Sequence, residues 1–292
     1  MGTKNHIGLI DVDGHNFPNL ALMKLSAYHK QIGDRVEFIN HFFEYDTVYK
    51  SKVFTFSEDS TTMIHSAEVI MGGIGYGIYD CLDENIEHTM PDYDLYKYPH
   101  ALGFLTRGCI RKCSFCVVPK KEGGIKRHAD INEFLGDNKT AVLMDNNVLS
   151  SDWGLSQIEK MVDLKLKVDF NQGLDARIIA DNPEIASVLG RLKWLKPLRM
   201  ACDSLAQMDS VVKSIELLRK YGAKPKRYFI YVLVTDIDDA HKRVKILDEL
   251  KVDPFAQPLI TDSVKPTKLQ KDFARWVNHK AVFRTVPWEK YK

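Results

Sequence analysis

The chain has 292 residues, 45% of them hydrophobic and 27% charged, with 41 Lys and Arg against 39 Asp and Glu. That is the make-up of a globular protein of one large or two modest domains, and a net charge of +2 excludes a composition-driven attraction to polyanions or anionic membranes. No apolar run approaches the roughly 18 residues that span a bilayer, and the first residues lack the basic flank, apolar stretch and cleavage site of a signal peptide, so a cytoplasmic protein is expected.

The first third opens with an apolar run, Ile7 to Ile10, ending in Asp11-Val12-Asp13-Gly14-His15-Asn16. A helical pattern follows from Asn19 to Gln31, with Leu20, Leu22, Met23, Leu25 and Tyr28 on one side and Gly33 at its end. Arg35–Asn40 and Asp46–Phe56 are expected strands. A polar helix is expected near Asp59–Ser66, then a strand over Ala67–Met71 and a turn at Gly72-Gly73. Short apolar strands alternating with amphipathic helices predict parallel βαβ units, a small Rossmann-like α/β domain over residues 1–80. Residues 81–100 carry no sustained periodicity and are punctuated by Pro91 and Pro99, which suits a linker.

A second rhythm begins at Ala101. Strands are expected at Leu102–Thr106, Ala141–Asp145, Val168–Asn171, Leu198–Asp203, Tyr228–Val234 and Pro254–Ile260. Helices are expected at Ile131–Leu135, Leu155–Leu164, Pro183–Leu192, Met208–Tyr221 and Asp238–Leu250. Six strand–helix repeats predict a partial (β/α)6 barrel of the TIM type over residues 101–265, with a C-terminal helix, Leu269–His279, and tail over 266–292. In such folds chemistry gathers at the carboxyl ends of the strands.

Five cysteines are present: Cys81, Cys109, Cys113, Cys116 and Cys202. An odd number, three of them within eight positions, is a poor disulfide framework. Cys109, Cys113 and Cys116 have C-x3-C-x2-C spacing just after the first expected barrel strand, with Gly108 permitting a tight turn before them. Three thiolates are too few to saturate a structural zinc site, but suit a 4Fe–4S cluster with one iron left open. The alternative is a zinc knuckle completed by His128 or Cys202. Cys81 and Cys202 have no neighbouring ligands and read as small buried hydrophobes.

At these residues the chain resembles the radical S-adenosylmethionine superfamily, in the cysteine spacing, the aromatic Phe115 before the last cysteine and the first-strand position. The resemblance runs from Ala101 to about Ile260. It implies an enzyme in which Cys109, Cys113 and Cys116 hold the 4Fe–4S cluster and S-adenosylmethionine chelates the open iron. Reductive cleavage then gives methionine and a 5′-deoxyadenosyl radical that takes hydrogen from substrate. Phe115 is expected beside adenine. Asp145 and Asn146, after the second strand, are carried over toward the methionyl ammonium. Gln172 suits a ribose hydroxyl, Arg177 the methionine carboxylate, and Asp203 and Ser204 are polar groups at the fourth strand end. Asp145, Asp175 and Asp203 read equally well as helix caps. An electron donor such as flavodoxin or ferredoxin is the implied partner.

Asp13-Gly14-His15-Asn16-Phe17-Pro18 is similar to the D-x-H-x-x-G loop of cobalamin domains, with Pro18 in place of the glycine and His15 as the implied axial ligand. Ser51-Lys52-Val53 and Gly72-Gly73 sit where such domains hold the nucleotide tail. The short spacing favours a cobalamin-binding-like fold that has lost its ligand. The readings carried forward are a radical enzyme of unassigned substrate, a cobalamin-dependent radical methyltransferase, a methylthiotransferase-like RNA modifier and a non-catalytic metal-binding module. The RNA-modifying reading is weakened because no nucleic-acid-binding appendage and no second cysteine trio are visible.

Overall fold

A computed structural model describes residues 4–14, 17–59, 63–261 and 263–291. The chain divides into two compact units, Met1–Gly103 with Ala129–Asn138, and Phe104–His128 with Lys139–Lys292.

In the first unit, β1 (His6–Asp11), β2 (Arg35–Phe38), β3 (Tyr45–Ser51) and β4 (Ser66–Gly72) form a parallel sheet in the order β2-β1-β3-β4. Alternation along β1 places Ile7 and Leu9 against Leu22 and Leu25 of α1 (Leu20–Gln31), while Ile10 packs with Tyr45 and Val48. Asn19 starts α1: its side-chain oxygen accepts from Leu22 N–H, and its amide donates to Ser51 Oγ at the end of β3 (2.8 Å). β3 ends at Ser51 rather than Phe56, because the Asp13 carboxylate takes the Val53 and Phe54 N–H groups that a longer strand would offer its neighbour. The helix expected near Asp59–Ser66 is absent from described residues 63–65, which lead directly into β4; residues 60–62 lie outside the described residues.

Residues 81–100, expected as a linker, run as a short helix, Glu84–Glu87, and a single 3-10 turn, Tyr93–Leu95. Ser26 Oγ donates to Asp92 (2.6 Å) and Tyr96 Oη to Asp11 (2.6 Å). The Tyr93 hydroxyl donates to Phe134 O and accepts from Leu102 N–H; burial pushes it up to about 12. The Asn132–Leu135 helix brings Phe134 against Gly103, where any Cβ would sit 2.6 Å from the ring.

In the second unit the expected strand–helix alternation is present, and among the described residues its strands fall into separate parallel groups rather than one continuous partial barrel. Thr140–Leu143, Lys167–Phe170 and Lys193–Trp194 run parallel as one group, and Leu198–Cys202, Tyr228–Val234 and Asp253–Pro258 as another. Among the described residues these groups meet in ladder geometry at one bridge, Leu174 to Met200. The Lys193–Trp194 strand, unforeseen in the sequence, pairs with Lys167 and Val168 and so occupies the edge a continuous barrel would use. The first expected strand, Leu102–Thr106, is also broken: Ala101–Gly103 and Thr106–Arg107 are separate, and the latter pairs antiparallel with Lys126–Arg127.

The long helices Asp152–Asp163, Met208–Lys220, Ile237–Glu249 and Lys268–Asn278 lie within three residues of their expected limits. Ser151, Asp236 and Thr267 cap three of them. Arg243, fully buried, pairs with Asp239 and donates to the carbonyls of Cys202 and Leu233, tying together the ends of two adjacent strands. Cys202 is buried, which pushes its thiol up to about 11, as befits a packed side chain rather than a ligand, whereas Cys81, expected buried as well, is exposed. Among the described residues no helix is long and apolar enough to cross a membrane.

Candidate functional site

The cysteine loop is closed at its neck. Thr106–Arg107 and Lys126–Arg127 bring its two ends together, and Cys109 N–H donates to Gly123 O (3.3 Å). Glu122, the single acid between Arg107 and Arg127, completes the closure: it pairs with Arg107 (3.0 Å) and accepts from Gly108 N–H (2.8 Å) and Asn146 Nδ2 (2.9 Å). Cation–π stacking seats both flanks, Arg107 over Phe104 (3.9 Å) and Arg127 over Trp153 (3.5 Å). Gly108 has φ +80°, and a Cβ there would lie 2.1 Å from the carbonyl oxygen of Gly124. Gly108→Ala is therefore expected to open the neck: the left-handed backbone alone costs an alanine roughly 1–3 kcal/mol. Trypsin should then cleave at Lys112, Lys120 or Lys121 faster than in the parent; an unchanged cleavage rate would show that the neck tolerates the methyl group.

Asp145, after the Thr140–Leu143 strand, is 4% exposed and turned toward this loop. One carboxylate oxygen accepts from Thr106 N–H (2.6 Å), Thr106 Oγ1 (2.7 Å) and Leu105 N–H (3.1 Å). This capture explains the broken first strand, since the two N–H groups are no longer available to a ladder. Burial pushes the Asp145 carboxyl up to about 6, against the opposing effect of these hydrogen bonds.

Within the loop, Cys109 and Cys113 are partly buried and Cys116 is exposed. Cys116 N–H donates to Cys113 O (3.0 Å), which folds the last two cysteines into one turn. The Cys113 thiol is pushed up first by burial, then by Asp203 and Cys116, with Arg177 opposing and Cys109 adding to the rise. The three sulfurs thus lie within electrostatic reach of one another and of Asp203 and Arg177. Among the described residues no three His, Cys, Asp or Glu side chains converge closely enough to grip a single ion. A cubane sets a different requirement, because each thiolate binds its own iron at a separate corner. Three soft donors carried on one closed loop fit that group by their chemistry.

Asn147 is 4% exposed and lies directly behind Cys109. Its Nδ2 donates to Cys109 Sγ (3.6 Å) and to Asp175 Oδ2 (3.1 Å), while its Oδ1 is buried without a donor. Leaving such an acceptor unpaired costs roughly 1–3 kcal/mol. Asp175 caps the Ala176–Asp181 helix and gathers Arg111 (2.8 Å) and Arg177 (3.0 Å). Burial raises its carboxyl, but the bonds from Arg111 and Arg177 outweigh it and hold the group below the usual carboxylate range.

The remaining expected residues are distributed as follows. Asn146 faces Glu122, and Arg177 is paired with Asp175. Asp203 N–H donates to Gln207 Oε1 (3.0 Å); its carboxyl is raised by burial, with Arg177 and Arg243 opposing. Ser204 O accepts from Cys202 Sγ (3.5 Å). Phe115 is 40% exposed on the cysteine loop, and Gln172 is exposed in the turn after the Lys167–Phe170 strand. Asn147 and Glu122 were not selected from the sequence. Glu122 had a visible signal as the lone acid in a basic segment, whereas Asn147 was hidden beside two more conspicuous polar neighbours.

In the first unit the strand order reverses between β1 and β3, the place where open α/β sheets bind ligands. At the carboxyl ends of these strands, groups of the chain bond to one another. Asp13, 6% exposed, accepts from Val53 N–H and Ser57 Oγ (both 2.5 Å), and a Cβ on Gly73 would lie 2.2 Å from Lys52 O. Lys50 pairs with Asp59 (2.6 Å), which accepts from Tyr76 Oη (2.8 Å). His15 lies outside the described residues.

The chain matches no protein-family model and no curated protein. Among solved structures it is similar to the radical S-adenosylmethionine methyltransferase TsrM from Kitasatospora setae, determined with tryptophan substrate and a S-adenosylmethionine analogue bound. The identity is 11% and the TM-score 0.61, over 88% of this chain and 73% of that one. The two chains share a fold.

Proposed function

We propose that this chain is a radical S-adenosylmethionine enzyme acting on a substrate still to be assigned. The observation that carries the reading is the closed loop holding Cys109, Cys113 and Cys116, on a fold shared with a radical S-adenosylmethionine methyltransferase. A three-thiolate 4Fe–4S cluster that binds S-adenosylmethionine supplies the electron for sulfonium cleavage and so a 5′-deoxyadenosyl radical. The chain's own residues supply position and charge. Asp145 holds the first turn of the loop through Leu105 and Thr106, and Glu122 holds its neck. Arg111, anchored by Asp175, keeps a cation on the loop, where it offsets thiolate charge. Arg177, at the Asp175 cap, is the group best placed to meet a carboxylate, and Asp203 an ammonium or hydroxyl. Phe115, Gln172, Asn146 and Ser204 are assigned to the remaining polar and aromatic contacts with the cofactor.

The test is anaerobic reconstitution with iron and sulfide, then S-adenosylmethionine and a strong reductant. Bound iron close to four per chain, with 5′-deoxyadenosine formed, is expected. A chain that takes up zinc, and forms no 5′-deoxyadenosine with iron, overturns the reading.

For the first unit we propose a cobalamin-binding-like sheet without its ligand, because the Asp13 carboxylate just after β1 is already bonded to Val53 and Ser57 of the chain itself. Chain exposed to hydroxocobalamin and passed over a desalting column is expected to emerge without corrinoid absorbance. Stoichiometric retention that His15→Ala abolishes would restore the methyltransferase reading.

A further inference from the structure

We infer that Asn147 tunes one ligand sulfur of the trio, by aiming its amide N–H at Cys109. The inference rests on the cluster reading above and extends it to a residue with no direct claim on the metal. Asp175 fixes the direction of the amide. Its carboxylate is held ionised by Arg111 and Arg177 and can only accept, so Asn147 must present its NH2 end to it (3.1 Å). The same nitrogen then reaches Cys109 Sγ at 3.6 Å. The Arg111 backbone N–H is a second donor to that sulfur, at 3.3 Å. Among the described residues, neither Cys113 nor Cys116 receives a comparable donor at sulfur. Asn147 itself is buried, and its Oδ1 is left without a partner. A side chain retained for shape alone would not need an amide here.

An N–H···S bond draws electron density from a thiolate and stabilises the reduced, more negative form of an attached cluster. Asn147 therefore raises the reduction potential and weakens the iron–sulfur bond at Cys109 in particular. The measurement is an EPR-monitored redox titration of the reconstituted cluster, with resonance Raman of the iron–cysteine stretches. Asn147→Leu, with cluster iron equal to the parent, is expected to lower the midpoint potential and raise one terminal stretching frequency. Asn147→Gln, which keeps an amide donor, is expected to move both back toward the parent.

A fully loaded Asn147→Leu protein with the parent's potential and spectrum overturns the inference while leaving the cluster reading intact. If Asn147→Leu does not fold or load, Asn147→Ser and Asn147→Ala are compared, the first retaining a hydroxyl donor. A higher potential for the serine variant supports the assignment, and equal potentials overturn it. A parent chain that binds no cluster is a different result, and it removes the proposed function itself.

Discussion

Replacing Cys109, Cys113 or Cys116 singly with alanine is expected to bring 5′-deoxyadenosine formation down to the level of reductant and S-adenosylmethionine without protein. The three positions should be equally severe, although Cys116 is exposed and Cys109 is partly buried. A two-thiolate loop cannot hold a cubane at three corners, and activity depends on the assembled site rather than on burial. Folding should be spared, because none of the three side chains belongs to the buried core and the neck is closed by backbone, Glu122 and Gly108. Cys81→Ala is the control and should behave as the parent. The checks are iron content, the cluster's visible absorbance and the rate of cofactor cleavage, each measured under anaerobic conditions. Parent-like cleavage by any one variant would mean that its thiol is not a ligand.

The second large effect is expected at Asp145. Asp145→Leu leaves the N–H groups of Leu105 and Thr106 buried without an acceptor, at about 1–3 kcal/mol each, or roughly 2–6 kcal/mol together. Urea unfolding reads this as a lower midpoint, and the cysteine loop should become protease-sensitive first. Asp145→Asn keeps an acceptor oxygen and separates shape from charge through pH. The Asp145 carboxyl titrates at about 6 in the folded chain against an ordinary 3.8. Between about pH 4 and pH 6 the folded state therefore retains a proton that the unfolded chain has released. The stability this group contributes is fully present below about pH 4 and lost as pH rises through about 6. The difference between parent and Asp145→Asn should carry that slope. A difference that is flat across the window would show that the carboxyl is not buried as described.

The long helices and the longer strands were legible because local chemistry declares them. Capping residues such as Ser151, Asp236 and Thr267 sit beside apolar positions spaced for one helix face. The division of the strands into separate sheets was not legible. Whether the Leu198–Cys202 strand continues from the Lys167–Phe170 strand depends on Lys193 and Trp194, a two-residue strand too short to carry any period. Long-range capture was equally invisible. Asp13 stops β3 from 40 positions away, and Asp145 breaks the first expected strand of the second unit; each reads locally as an ordinary turn or cap residue. For the site, the cysteine spacing alone identified the metal-binding candidates. Of their supports, Glu122 was signalled as the lone acid in a basic segment, whereas Asn147 and Asp175 act through contacts 38 and 64 residues away that no pattern of neighbours announces.

The neck formed by Glu122, Gly108 and the paired Thr106–Arg107 and Lys126–Arg127 segments has a consequence for how this region can change. A loop pinned at its base is an autonomous cassette. Lengthening its span carries only a logarithmic entropic penalty, about 0.6 kcal/mol for each doubling, because the pinned ends already lie together. Insertions between Cys116 and Glu122 should thus be absorbed without disturbing the strands beneath, leaving the rim of the loop free to diversify while its base stays constant.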